Sequence, residues 1–223
     1  MTMKNLALVG ACLIAALAAE AQGVVTRPIT PQVEPENKSS VEFRPISLNR
    51  DPAAGVQPLA FSLLPALETP APDWAVSAFR FNLLIGQHHS VSGVDFGLLA
   101  NLTDDELSAF SLAGLFNDCG MSDSAFTLAG VFNHASWDFT GLQIAAGMNY
   151  VEGVMTGVQV SIYNRTPRLS GLQVGAVNVI EKGVGMQVGV INSADVLRGV
   201  QIGAINLIHQ SSFPFWPIVN CAF

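Results

Sequence analysis

The side chains able to do chemistry are few and thinly grouped. His88 and His89 are adjacent, so on a strand they point to opposite faces and cannot share a metal ion from one side. His134 and His209 stand alone, and all four histidines read as exposed turn residues. Asp104-Asp105-Glu106 is the densest acidic run. Hard cations want several such oxygens, but the run lacks the Gly-x-Asp pattern of calcium-binding β-rolls and the EF-hand loop, so it reads as a solvated turn. Serine, histidine and aspartate are present without a G-x-S-x-G elbow. The Gly-x-x-x-Gly spacings are not followed by the Gly-Lys-[Ser/Thr] that cradles phosphate. The expectation is a protein that is not an enzyme, with no cofactor and no metal. Trp137 and Tyr163 differ in kind, because an exposed ring there could stack on a sugar or a partner protein.

Whatever these residues do, a repeat must position them. The clearest copies begin at Gly157, Gly171, Gly185 and Gly199 and end at Asn164, Asn178, Asn192 and Asn206, fourteen residues apart in their glycines. Upstream the unit recurs every sixteen residues, from Gly93 to Asn101, Ala109 to Asn117, Ala125 to Asn133 and Gly141 to Asn149. A degenerate first copy spans Ala78 to Gly86. Within a unit Leu172, Val174 and Ala176 alternate with Gln173, Gly175 and Val177, and period two means a strand. Asparagine suits a corner, so Asn149, Asn164, Asn178, Asn192 and Asn206 are expected to close their strands. Many linkers carry one late apolar residue (Leu107, Phe139, Met155, Leu169, Val184, Leu197), as a short second strand facing inward would.

A lone unit buries about four aliphatic side chains, worth roughly 6–12 kcal/mol. Ordering its residues costs about 20 kcal/mol at ~1.5 per residue. Units must therefore stack, which predicts an all-β solenoid of about nine 14–16-residue coils with a continuous apolar interior. Stacking aligns Gln143, Gln159, Gln173, Gln187 and Gln201 in one amide ladder and the asparagines in another. The glutamine row, with Tyr163 and Trp137, is the candidate binding face. Two other architectures stay open. An antiparallel outer-membrane barrel would suit the alternation and the terminal Phe223, although these strands are short for a bilayer and the linkers too uniform. A fibre-forming subunit is the other, since the Gln-x4-Asn spacing is similar to part of the curli repeat.

Outside the repeat, Lys4, the apolar run Leu6 to Ala18 and Ala19-Glu20-Ala21 form an export signal over residues 1–21. Cys12 follows an incomplete lipoprotein box. Residues 22–77 hold nine of the twelve prolines, which break any long ladder. They read as an extended spacer, with Val41 to Phe43 and Leu59 to Leu67 as patches that could dock on a core. The repeat domain is 78–210, and 211–223 is a cap in which Pro214 and Pro217 blunt the ladder while Phe213, Phe215 and Trp216 cover exposed core. A net charge of −7 argues against nucleic acid and leaves no polybasic patch for anionic lipid. An oxidising compartment would permit a Cys119–Cys221 disulfide; neither cysteine has a C-x-x-C partner for zinc.

The consecutive G-L-Q-[IV]-G-x-[VI]-N units and the Pro-Phe-x-Pro-[ILV]-[VI]-Asn terminus resemble a family of bacterial surface repeat proteins of diderm lineages, over about residues 78–223. The resemblance implies export and surface or outer-membrane association, and it supplies no catalytic residue. A protein or glycan at the cell surface is the expected partner. The first four units depart from the pattern, with Ala109 and Ala125 at the leading glycine and Asp95, Ser111 and Thr127 at the glutamine.

Overall fold

The computed structural model describes residues 53–64 and 67–222. The export segment, Cys12 and the Val41–Phe43 patch lie outside the described residues. The strands are β1 (Val56–Leu64), β2 (Leu67–Thr69), β3 (Ala75–Asn82), β4 (Ile85–His88), β5 (Ser90–Gly97), β6 (Ala100–Ala113) and β7 (Phe116–Ala129). There follow β8 (Phe132–Ala135), β9 (Phe139–Ala145), β10 (Met148–Val151), β11 (Val154–Val160), β12 (Tyr163–Ile208) and β13 (Phe215–Ala222).

Neighbouring units run parallel and in register: Gly141 lies beside Gly157 and Gly157 beside Gly171, while Asn133 lies beside Asn149 and Asn149 beside Asn164. Parallel neighbours are what a coil stacked on itself produces, and an antiparallel barrel cannot produce them. The fold is a β-solenoid, and the barrel alternative is overturned.

Each coil has two faces. In the coil that begins near Leu169, the first face runs to Val174, a corner falls at Gly175-Ala176, and the second face carries Val177 to Ile180. The corners thus precede the asparagines instead of following them. Each asparagine sits inside, one strand position beyond the bend, and braces it. Asn164 Nδ2 donates to the Val174 carbonyl of the next coil at 2.9 Å, just ahead of that coil's corner. Gly175 is required there, since a Cβ would lie 2.2 Å from the Ser161 carbonyl oxygen and 2.7 Å from Asn164 Nδ2. The leading glycine has a different cause: Gly171 has φ +146°, and a Cβ would lie 2.0 Å from the Gly157 carbonyl oxygen.

The interior is not the uniformly apolar one that the alternation suggests. Leu107, Phe139, Met155, Leu169 and Leu197 point inward as expected, joined by Val76, Val91 and Ile180, but Val184 is 58% exposed. Gln173 and Asn178 are also fully buried, whereas Leu172 and Val174 face outward and are only half-buried. The alternation of period two holds, but its inward phase belongs to Gln173 and not to Leu172 and Val174.

The first coils begin before residue 78, because β1 pairs in parallel with β3, with Ala60 beside Arg80 and Ser62 beside Asn82. Leu59 to Leu64 join the sheet in this strand, but Leu59, Phe61 and Leu64 are exposed and only Ala60 enters the core, so the apolar patch does not dock. At the other end β13 folds back antiparallel on the last coil, with Gln201 opposite Asn220 and Asn206 opposite Trp216. Pro217, inside β13, has no N–H and interrupts the donor row of this edge. The aromatics of the cap do not cover core: Phe213, Phe215 and Trp216 are 66%, 53% and 53% exposed. Cys119 is buried and Cys221 exposed, and both are free thiols, so the disulfide does not form.

Candidate functional site

Two side-chain rows organise the interior. In the asparagine row each side chain donates toward the C-terminus: Asn149 to Asn164 at 3.0 Å, then Asn164 to Asn178, Asn178 to Asn192 and Asn192 to Asn206 at 2.8–2.9 Å. The glutamine row runs the other way. Gln159 donates to Gln143, Gln173 to Gln159, Gln187 to Gln173 and Gln201 to Gln187, all at 2.8–2.9 Å. An unpaired buried amide costs about 1–3 kcal/mol, and these chains of donors remove that penalty along most of the stack. Opposed directions also cancel the two rows' dipoles. The five glutamines are fully enclosed, so their proposed role as an exposed binding face is corrected: they hold the coils together.

The glutamine position changes chemistry toward the N-terminus. Thr127, Ser111, Asp95 and Arg80 fill it in turn, as the registers of successive coils require. Arg80 makes a bidentate contact with Asp95, Nε to Oδ1 at 2.7 Å and Nη2 to Oδ2 at 2.6 Å, both side chains fully buried. Its Nη1 donates to the Leu102 carbonyl at 2.7 Å, and Ser111 Oγ donates to Asp95 at 2.9 Å. His88 is fully buried and not in an exposed turn. Burial, reinforced by Arg80, lowers its pKa to about 4. Arg80, Asp95 and His88 are thus closed to solvent.

The accessible constellation lies on the outer surface of the second face. Residues immediately after the inward asparagines stack in line there: Asp118, His134, Tyr150 and Arg165. His134 Nδ1 meets Asp118 Oδ1 at 2.7 Å and Nε2 meets Glu152 Oε1 at 3.3 Å. Its ring stacks on Tyr150 at 5.5 Å and on Phe132 at 5.9 Å. Burial disfavours charge on His134, but the hydrogen bonds and charges of Asp118 and Glu152 outweigh it and raise its pKa above the ordinary value. Beside this row lies an open groove of about 330 Å³ lined by Tyr150, Glu152, Arg165, Thr166, Pro167, Val179, Ile180 and Glu181.

Tyr163 belongs to the same outward face, two residues before Arg165 and next to Met148. Trp137 sits at the following corner, 41% exposed, its amide bonded to the Gly120 carbonyl and its own carbonyl accepting from Gly153. Trp137 is thus exposed at a corner and Tyr163 half-buried on the outer face, and both are separated from the glutamines. Asp104 accepts from Gln87, Glu106 accepts from Ser108, and Asp105 lies 3.7 Å from His89. His209 is exposed beside Asp195. The sequence reading passed over Asp118, Tyr150, Glu152 and Arg165. A signal for three of them was present: each follows a corner asparagine. Comparison with protein families, with curated proteins and with solved structures finds no match to this chain.

Proposed function

We propose that this chain is a non-enzymatic exported protein of the bacterial cell envelope, whose β-solenoid presents one outward strip to a glycan or a protein at the cell surface. The observation that carries the reading is the Tyr150 groove. An aromatic face, two carboxylates (Glu152, Glu181) and a guanidinium (Arg165) converge in one open depression. Sugars are held by ring stacking together with short hydrogen bonds to hydroxyls, and that set supplies both. Both ring nitrogens of His134 are occupied by carboxylates, which leaves neither to act as a general base and favours binding over catalysis. Fibre formation is the weaker reading, because β13 turns back on the last coil and its proline interrupts the open edge.

The test has two arms. Expressed in a diderm host, the chain should fractionate with the envelope and be cut by protease added to intact cells. On a glycan array the purified chain should bind, and Tyr150→Ala should abolish binding while Tyr163→Ala weakens it. Cytoplasmic retention, or array binding indifferent to Tyr150→Ala, would remove the reading.

A further inference from the structure

The cap leaves an apolar, uncharged surface that the fold itself does not use. Residues 211–222 contain no charged side chain, and Phe213, Phe215, Trp216 and Ile218 are between 53% and 74% exposed although β13 is paired along its length. Phe213 and Trp216 meet edge to face at 6.0 Å. Loose core would pack these rings; here they project from a strand held in place.

Their position matters as much as their exposure. After Ile208 the chain crosses the corner at Ala194-Asp195, where His209 N bonds the Ala194 carbonyl and Gln210 N the Asp195 carbonyl. It reverses through Ser211–Pro214 and runs back until Ala222 lies opposite Gly199. The reversal, with Phe213 at its tip, therefore stands at the corner that precedes Gly199. The exposed cations Arg168 and Lys182 share a register position at that corner in adjacent coils, Arg198 follows two positions beyond the equivalent Val196, and the exposed Glu181 and Asp195 stand at the same corner. Charge is divided along the solenoid. Residues 163–222 hold four of the five cations of the described chain against two acids, Glu181 and Asp195. Residues 67–162 hold ten carboxylates and one cation, the buried Arg80. The fourteen-residue coil sets Arg168 beside Lys182, and Arg198 lies two positions farther along the next coil.

We infer that this C-terminal corner docks on an anionic lipid surface, with Phe213, Phe215 and Trp216 entering the headgroup region and Arg168, Lys182 and Arg198 facing lipid phosphates. Aromatic rings favour the interfacial zone, and a few cations beside them add electrostatic attraction. The acidic coils would then point away from the surface, setting the direction of the solenoid. The inference rests on the envelope reading only for which leaflet is met, and it is tested apart from it.

The experiment uses the full chain with Trp74→Phe and Trp137→Phe, so that Trp216 is the sole reporter, and vesicles of phosphatidylcholine with or without phosphatidylglycerol. Expected are a blue shift of Trp216 emission and quenching by brominated lipid with the anionic vesicles, both reversed by high salt. Arg168→Gln, Lys182→Gln and Arg198→Gln together should weaken binding roughly a hundredfold at low salt. Phe213→Ser should also weaken it, with unchanged far-ultraviolet dichroism. No blue shift on anionic vesicles overturns the inference. So does binding that ignores both sets of substitutions, since another segment then makes the contact. A blue shift that instead follows protein concentration without lipid assigns the patch to a second copy of the chain and overturns it equally. Failure here leaves the Tyr150 groove untouched, because the array measures that separately.

Discussion

Arg80 and Asp95 lie in adjacent coils at the position that glutamine fills elsewhere, joined by two short bonds with neither side chain reaching solvent. Two charges have thus replaced two amides in one continuous row. The replacement works only as a pair, because removing one partner of a buried ion pair typically costs about 3–5 kcal/mol while replacing both can be neutral. Asp95→Ala or Arg80→Ala should therefore lower unfolding stability by about that amount. Arg80→Gln with Asp95→Gln should recover most of it, by putting an amide pair in place of the ion pair, separated from the glutamine ladder by Ser111 and Thr127. Urea denaturation of the three variants decides this; equal losses in the single and double variants would show that the row is not interchangeable.

The asparagine row makes a sharper demand, because each member both gives and receives. Asn178 accepts from Asn164 and donates to Asn192 and to the Val188 carbonyl. Asn178→Ala leaves three buried polar groups short of a partner, so a loss of about 3–5 kcal/mol is expected. Asn178→Asp keeps the acceptor but can donate only when protonated. Its deficit relative to wild type at the same pH should be large at neutral pH and shrink on acidification. A deficit that is constant with pH would mean the side chain is not held in the row.

These rows show what was legible in the sequence and what was not. Repeat length, strand period and the existence of amide ladders follow from spacing, because identical residues at a fixed interval must coincide when coils stack. Which face of the strand turns inward does not follow, since Leu172 and Gln173 alternate with the same period. Hydrophobicity chose Leu172 for the core, yet a ladder lets Gln173 be buried fully paired, and the space for Leu169 and Ile180 comes from the other part of the coil. The outward row of Asp118, His134, Tyr150 and Arg165 was hidden for a related reason. Its members share no common chemistry, so only their place directly after an asparagine of the repeat marks them.

Two histidines should give the protein opposing pH responses. For His88 the folded pKa is lowered to about 4 from an ordinary value of 6.5. The unfolded chain takes up the proton first, so stability falls as pH drops from about 6.5 toward 4, by about 3 kcal/mol over that window. For His134 the folded pKa is raised. Its contribution is complete below about 6.5 and is lost as pH climbs through the folded value. Partial exposure of Asp118 and Glu152 limits it to about 0.5–1 kcal/mol. Melting curves from pH 4 to 8 should show His88→Phe abolishing most of the acid-side loss, while His134→Phe removes a small alkaline-side decline. An unchanged acid limb in His88→Phe would place the proton uptake elsewhere.

Ile218 supplies the last test, at the junction of cap and coil. It has φ +71°, a left-handed conformation that a β-branched residue rarely tolerates, and it is 74% exposed, so its side chain recovers little by packing. The cause is local: β13 pairs residue by residue from Gly199 to Gly203, then loses register before Asn206, and Ile218 opposite Gly203 absorbs the mismatch. Strain of this kind costs about 1–3 kcal/mol, and glycine gives back about 0.5–1 kcal/mol through its freer unfolded chain. Ile218→Gly should thus be neutral or stabilising by about 1 kcal/mol, whereas Ile218→Val, still β-branched, should change little. Thermal unfolding of the two variants separates the outcomes. Destabilisation by Ile218→Gly would mean that the isoleucine side chain, and not the backbone beneath it, anchors the cap.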